Sequence, residues 1–269
     1  MTMKIFHFLI TVFLTISTSS MMQVNAQERT LTLMTYNIYH GEDPYNQGNS
    51  NIREIAELIN SVKPDLVALQ EVDSMTNRTK NFNPDGKKNL MLELEKLTGM
   101  KSFFAKAIEF SDGGYGEGIL SRHPAIFESY DLPTPKGGEG RSLAVAKVKL
   151  DEDRDFIFAG THLCHEYPEN RTAQVIAARD IVAKSGLPVI LTGDFNFSSE
   201  EKGHEILSEK YLDAALKKGN PQFTYSSKDP KIRIDYFWLD KSVDWEIVSV
   251  EVLDVAYSDH KPVVITVRF

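Results

Sequence analysis

Six segments of this 269-residue chain set a residue able to bind a cation or move a proton at, or close to, the end of an apolar run. Asn37 closes Leu33-Met34-Thr35-Tyr36, Glu71 closes Leu66-Val67-Ala68-Leu69-Gln70, and His162 follows Phe158-Ala159-Gly160-Thr161. Asp194 and Asn196 follow Val189-Ile190-Leu191-Thr192-Gly193. Asp235 lies inside Ile232-Arg233-Ile234-Asp235-Tyr236-Phe237, and Ser258-Asp259-His260 stands just before the final apolar run. Ends of neighbouring strands lie close together, so such groups can converge on one cleft. Singly, each has an ordinary structural explanation, such as a capped turn or a satisfied core histidine. Six in one chain argue for a shared site.

The residue types suit a metal-assisted hydrolysis. Such a reaction builds charge on the oxygens of the reacting group, so it is served by a cation, an aligned water and a proton source. Glu71 is a hard oxygen ligand of the kind Mg²⁺ or Mn²⁺ uses while keeping several waters, with Asn37 and Asp259 as helpers, directly or through water. A built-in zinc site is disfavoured, because Cys164 is the single cysteine and no paired-histidine helical motif is present. Asp194 and Asn196, two apart, point the same way if extended and can face one water. His260 is a second candidate base, its tautomer held by Asp235; which of Asp194 and His260 takes the proton is left open. His162 would stabilise transition-state charge or protonate the leaving group.

The other candidates are weaker. Arg171 falls in the first turn of a helix, where anions are favoured, and reads as a phosphate clamp or, equally, a surface salt bridge. Arg78 lies in the polar stretch 77–88, which reads as a solvated loop. His40, His123, His165 and His204 read as loop or surface residues, with His40 set apart by its closeness to Asn37.

Positioning these groups falls to strand-like runs at 31–38, 66–70, 118–121, 143–150, 156–163, 188–193, 232–239, 245–253 and 262–269. Helical patterns at 51–62, 90–97 and 168–184 alternate with them, the last with proline in its first turn. Helices interleaved with strands early and consecutive strands late predict a mixed α/β sandwich with helices outside. The Gly-rich stretches 113–116 and 137–140 read as loops, since neither ends in the Gly-Lys-Ser/Thr of a P-loop.

Composition bounds the rest. Residues 1–26 read as a secretory signal peptide: Lys4, an apolar run at 6–16, then Val24-Asn25-Ala26 before Gln27. The run is short of the ~20 residues a spanning helix needs. The expectation is therefore a cleaved leader, one domain over 27–269, a monomer, and a secreted destination in the periplasm or outside the cell. A formal charge of -8 argues against the broadly basic surface of a protein that grips many nucleic-acid phosphates.

Taken in order, Thr35-Tyr36-Asn37-Ile38, Leu69-Gln70-Glu71-Val72, Leu120-Ser121-Arg122-His123-Pro124, Thr161-His162-Leu163, Gly193-Asp194-Phe195-Asn196, Ile234-Asp235-Tyr236 and Ser258-Asp259-His260 resemble the motifs of the endonuclease/exonuclease/phosphatase superfamily. The resemblance implies a four-layer α/β/β/α sandwich with its active site at one end. It also implies a Mg²⁺- or Mn²⁺-dependent phosphoric ester hydrolase. The sequence departs from three subfamilies: Val72 stands where apurinic endonucleases continue with Thr-Lys, the Asp235 segment lacks the Trp-x-Asp-Arg of inositol 5-phosphatases, and one cysteine cannot form deoxyribonuclease I disulfides. The expected substrate is a small or lipid-linked phosphate ester, with a secreted nuclease of DNA or RNA as the alternative and a non-catalytic binding module as a third reading.

Overall fold

β1 (Thr30–Asn37) shows how the sequence sets the layers. Side chains alternate along an extended strand, and here Leu31 and Leu33 enter one apolar cluster while Met34 and Tyr36 enter another. A strand apolar on both faces must be covered on both. β7 (Asp155–His162) repeats the pattern, with Phe156 and Phe158 in the first cluster and Ile157 and Ala159 in a third. The shared cluster lies between two sheets, and the other two lie under helices.

The computed structural model describes residues 30–152 and 154–268. The expected leader, 1–26, and the expected mature start at Gln27 lie outside the described residues. The other strands are β2 (Leu66–Ser74), β3 (Lys101–Phe110), β4 (Gly113–Ser121), β5 (Ala125–Leu132), β6 (Arg141–Lys149), β8 (Val189–Asp194), β9 (Tyr211–Asp213), β10 (Asp235–Asp240), β11 (Glu246–Val252) and β12 (Val263–Arg268). One sheet runs β11-β12-β1-β2-β4-β3, the other β5-β6-β7-β8-β10-β9. Each sheet is mixed: β1 pairs parallel with β2 and β7 with β8, and the remaining neighbours are antiparallel.

A parallel pair needs a crossover, usually a helix. α1 (Ile52–Val62) joins β1 to β2 and buries Ile52, Ile55, Ala56 and Ile59, a single face at helical spacing. α3 (Leu90–Thr98), capped by the Asn89 side chain, adds Leu90, Met91 and Leu94 to the same outer layer. α4 (Pro168–Ala183) joins β7 to β8 and covers the second sheet with Val175, Ala178 and Val182. The result is the four-layer α/β/β/α sandwich expected from the sequence.

Several local expectations are corrected. The Gly-rich stretch at 113–116 is not a loop but the start of β4, where side chains would not fit: a Cβ on Gly116 would stand 2.1 Å from the Ala105 carbonyl oxygen. β3 and β5 were not anticipated; β5 is an edge strand exposed along most of its length, so it lacks an apolar run. Part of the stretch 77–88 is a helix, α2 (Asn77–Phe82), started by the Thr76 side chain accepting from Thr79 N. α5 (Lys202–Lys210) and α6 (Ala214–Lys218) are further short helices. Asp235 does not lie inside its strand but opens β10.

Gly160 on β7 faces Ala68 on β2 across the inter-sheet core, and a Cβ there would come within 2.8 Å of the Ala68 Cβ. Gly160→Val should therefore push the sheets apart and lower the unfolding free energy by about 1–3 kcal/mol. A urea titration checks this; an unchanged midpoint would show slack between the sheets.

Candidate active site

The inward-facing rows of the two sheets turn polar at one end. On β1 the row Leu31-Leu33-Thr35 continues to Asn37, and on β8 Ile190-Thr192 continues to Asp194. On β7 Phe156-Phe158-Gly160 continues to His162, while β10, running the opposite way, begins with Asp235 before Phe237 and Leu239. Register completes the convergence, for Asp194 pairs with His162 on one side and Asp235 on the other. His260 precedes β12, the antiparallel neighbour of β1.

These side chains meet on one carboxylate. Asp194 Oδ2 accepts from Asn37 Nδ2 at 3.1 Å and lies 3.5 Å from Nε2 of both His162 and His260. Its Oδ1 accepts from the Asn196 backbone N–H at 2.9 Å. His260 Nδ1 is 3.0 Å from Asp235 Oδ2. Asn37 Nδ2 also donates to Glu71 Oε1 at 3.1 Å. Facing two carboxylates, that amide must present its nitrogen, so Asn37 orients Glu71 and Asp194. Asn196 turns its own Nδ2 to the Leu163 carbonyl, 3.0 Å away.

Strained backbone is part of this cluster's setting. Tyr39, His40, Glu71 and Asn196 all have positive φ, between 44° and 57°. Glu71 sits at a bulge where the β2–β4 register slips between Leu69 and Val72, and such a bulge re-aims a side chain. Gly193, with φ 136°, lets β7 and β8 close up just before Asp194; a Cβ there would lie 2.0 Å from the Thr161 carbonyl oxygen.

The electrostatics follow from burial. His162, Asp194, Asp235 and His260 are all less than 5% exposed. Burial raises the Asp194 carboxyl to about 7, with the Asp235 charge adding to the rise and His260 opposing it. Burial works against a charge on His260, but Asp235 and Asp194 outweigh it and raise the imidazole to about 10. His162 is driven the other way, well below the usual imidazole value, by burial and then by Arg141 and His260. The cluster thus holds a charged imidazole, a neutral one and a carboxylate that binds a proton near neutrality. Glu71, at the rim, is also raised by burial, with the Asn37 hydrogen bond opposing.

A cleft of about 380 Å³ opens over the cluster, lined by Glu71, His162, Asp194, Asn196, Asp259 and His260 together with Tyr115, Arg141 and Tyr225. Eight of the sequence-derived candidates therefore come together: Asn37, Glu71, His162, Asp194, Asn196, Asp235, Asp259 and His260. The two arginines do not join them. Arg171 donates to the carbonyls of Cys164 and His165 at 3.1 and 3.2 Å and to Glu201 at 2.7 Å, which fixes the loop after β7. Arg78 forms a two-pronged pair with Asp73 and lies over the rings of Phe110 and Tyr115.

Sequence reasoning sets the stretch 132–141 beside the cleft but assigns Arg141 no role. Arg141 opens β6 at the cleft wall, 2% exposed, with Nη1 on Glu139, Nη2 3.3 Å from His165 Nδ1, and a buried Nε without a partner. His165, read as a surface residue, stands in the same wall.

Asp194, Asp235 and His260 place donor atoms within 4.8 Å of one another, a spacing that would also suit a metal ion. Their burial and the His260–Asp235 hydrogen bond fit a proton-holding network better. Glu71 fits a hard cation better still: its side chain is about a fifth exposed, and its Oε2 accepts no hydrogen bond among the described residues.

The sequence profile of the Endonuclease/Exonuclease/phosphatase family matches residues 34–260. Among curated proteins nothing matches. Among solved structures, an endonuclease/exonuclease/phosphatase from Beutenbergia cavernae DSM 12333 superposes with a TM-score of 0.74 at 22% identity, covering 90% of this chain and 72% of that one. A mannosyl-6-phosphatase of Bacteroides thetaiotaomicron VPI-5482 gives 0.73 at 18%, covering 89% and 100%. The human Nocturnin catalytic domain with bound sulfate gives 0.66 at 20%, covering 90% and 96%. At these identities the likeness is one of fold.

The His260–Asp235 pairing has a pH consequence. A raised imidazole pKa adds stability that is complete below 6.5, the ordinary value, and is lost as pH rises toward about 10. In Asp235→Asn the His260 titration followed by NMR should move down, and the alkaline loss of stability should begin at lower pH. An unmoved titration would break the pairing.

Proposed function

The chain belongs to the endonuclease/exonuclease/phosphatase family, and from that premise we propose that it is a divalent-metal-dependent hydrolase of small or lipid-linked phosphate esters. The observation that carries the reading is the Asp194 carboxylate shared by Asn37, His162 and His260, with Glu71 at the rim of the same cleft.

Glu71 would hold Mg²⁺ or Mn²⁺, with Asp259 beside it. The cation supplies positive charge next to the phosphoryl oxygens when bound. Asp194 is the better general base of the two candidates, since a carboxyl raised toward neutrality by burial both accepts and releases a proton there. Asn37 and the Asn196 N–H hold its two oxygens in place. His260, kept charged by Asp235, stabilises negative charge on the phosphoryl group. His162, neutral, contributes a hydrogen bond rather than a proton. Arg141 lines the cleft and would supply positive charge to a phosphate oxygen there.

Two features favour a small ester over a nucleic acid. The cleft volume is that of a small-molecule pocket. Arg141 is the one guanidinium among the described residues that line the cleft, and the chain is net acidic, whereas backbone-tracking nucleases use many cations. The leader-like residues 1–26 support a secreted location, and among the described residues no helix is long and apolar enough to cross a membrane.

Turnover should vanish in chelator and return with Mg²⁺ or Mn²⁺, and Glu71→Ala should lose it at ordinary metal concentrations. Activity should rise with pH through about 7, as Asp194 loses its proton. The deciding assay compares sugar phosphates, simple mono- and diesters, sphingomyelin and phosphoinositides with plasmid, abasic duplex and RNA. A higher kcat/KM on any nucleic acid than on every small or lipid ester replaces this substrate assignment.

A further inference from the structure

His40 lies outside the chemistry assigned so far, yet its surroundings are those of a ligand. Directly after Asn37 the chain enters a single 3-10 turn, Tyr39–Gly41, in which Tyr39 and His40 both take left-handed backbone angles, φ 45° and 44°. Two successive non-glycine residues in that region persist only where their surroundings hold them. The imidazole is wedged between the rings of Tyr39, 4.3 Å away, and Phe82, 6.1 Å away, and the residue is 6% exposed.

Its two ring nitrogens have different fates. Nε2 is 3.1 Å from Glu42 Oε2. A carboxylate accepts only, so Nε2 carries the proton. Glu42 is itself fixed, since its Oε1 accepts from the Gly48 N–H at 2.8 Å. Nδ1 is buried and has no hydrogen-bond partner. It faces Glu71 Oε2 at 4.0 Å. A proton on Nδ1 would find no acceptor within hydrogen-bond reach there, so this atom presents a lone pair.

A lone pair and a carboxylate oxygen face each other with nothing to donate between them. A core histidine with both nitrogens satisfied does not look like this. A cation does fit: two donors about 2.1 Å from one octahedral ion stand about 3 Å apart when adjacent and about 4 Å apart when opposite. Glu42 plays the part of the outer carboxylate that fixes the tautomer of a ligating histidine.

Resting on the reading that Glu71 holds a divalent cation, we propose that His40 Nδ1 is a second protein ligand of that cation, together with Glu71 Oε2. The site is then a mixed nitrogen–oxygen one. Imidazole nitrogen strengthens binding of Mn²⁺ and later transition ions relative to Mg²⁺, so the chain selects Mn²⁺ over Mg²⁺.

The test is Mn²⁺ titrated into the purified, metal-free protein, with affinity read by calorimetry and ligation by pulsed EPR. The wild type should show ¹⁴N coupling to bound Mn²⁺. His40→Gln should lose that coupling and bind at least about tenfold more weakly, with circular dichroism confirming its fold. Glu42→Gln keeps the imidazole and should retain the coupling at reduced affinity, which covers the case in which His40→Gln does not fold. Bound Mn²⁺ without ¹⁴N coupling in the wild type, coupling that survives in His40→Gln, or affinity unchanged in both variants overturns the proposal. Mn²⁺ binding that is indifferent to Glu71→Gln removes the underlying cation reading instead.

Discussion

The hydrogen bond from Asn37 Nδ2 to Asp194 Oδ2 crosses from one sheet to the other at the polar end of the sandwich. Everything else at that end depends on its being made. Asn37 and Asp194 are each the last inward-facing residue of a strand whose earlier inward residues are buried, apolar first and then a threonine. Packing of the two sheets therefore sets the separation between the Glu71 rim and the Asp194 cluster, because one amide nitrogen bridges them. An amide suits this post. It carries no charge of its own to bury, and its two N–H bonds satisfy two acidic side chains at once.

The cluster is short of positive charge. Glu71, Asp194, Asp235 and Asp259 crowd one end of the molecule, and the cations set against them are His260 and Arg141, with Arg78 acting on Glu71 from farther off. Arg141 is already engaged by Glu139. Burial then has two outcomes open to it: protons are retained, as on Asp194 and His260, or a cation enters. The retained protons mark where acid–base chemistry would be done. Asp235 Oδ1 and Glu71 Oε2 both lack a donor among the described residues, and the second, on the more exposed side chain, is where a cation would sit.

How much of this was legible in the sequence depended on whether the signal was periodic. Strands buried on both faces, such as the region of β1, β7 and β8, announce themselves as apolar runs, and polar residues at their ends were visible as interruptions of those runs. Eight candidate side chains found this way share the cleft or its floor. β5 was invisible because an exposed edge strand needs no apolar row, and the first half of β4 was misread because its glycines serve close strand approach instead of a turn. Arg171 obeyed a sound rule about helix N-termini, but nearby carbonyls and Glu201 claimed its guanidinium. Arg141 had no such rule to flag it, since a charged residue at the start of a strand is ordinary until the opposite sheet closes over it.

Half of the eight positive-φ non-glycine residues among the described residues are Tyr39, His40, Glu71 and Asn196; the rest, Lys63, Met75, Ser111 and Asp112, lie elsewhere. Positive φ at Tyr39, His40, Glu71 and Asn196 places left-handed residues beside the ends of β1 and β8 and within β2, all at the cleft end. A non-glycine residue there costs about 1–2 kcal/mol, so the cleft end is less stable than an unstrained chain could make it. A scaffold with both faces of its central strands buried can bear that cost, because its apolar rows stay in register whatever the loops beyond them do. The strain returns as direction: a bulge turns Glu71 out of the sheet's alternation, and the turn after β1 brings His40 back to face it. Strand alternation alone could not have put those two side chains within 4.0 Å of each other.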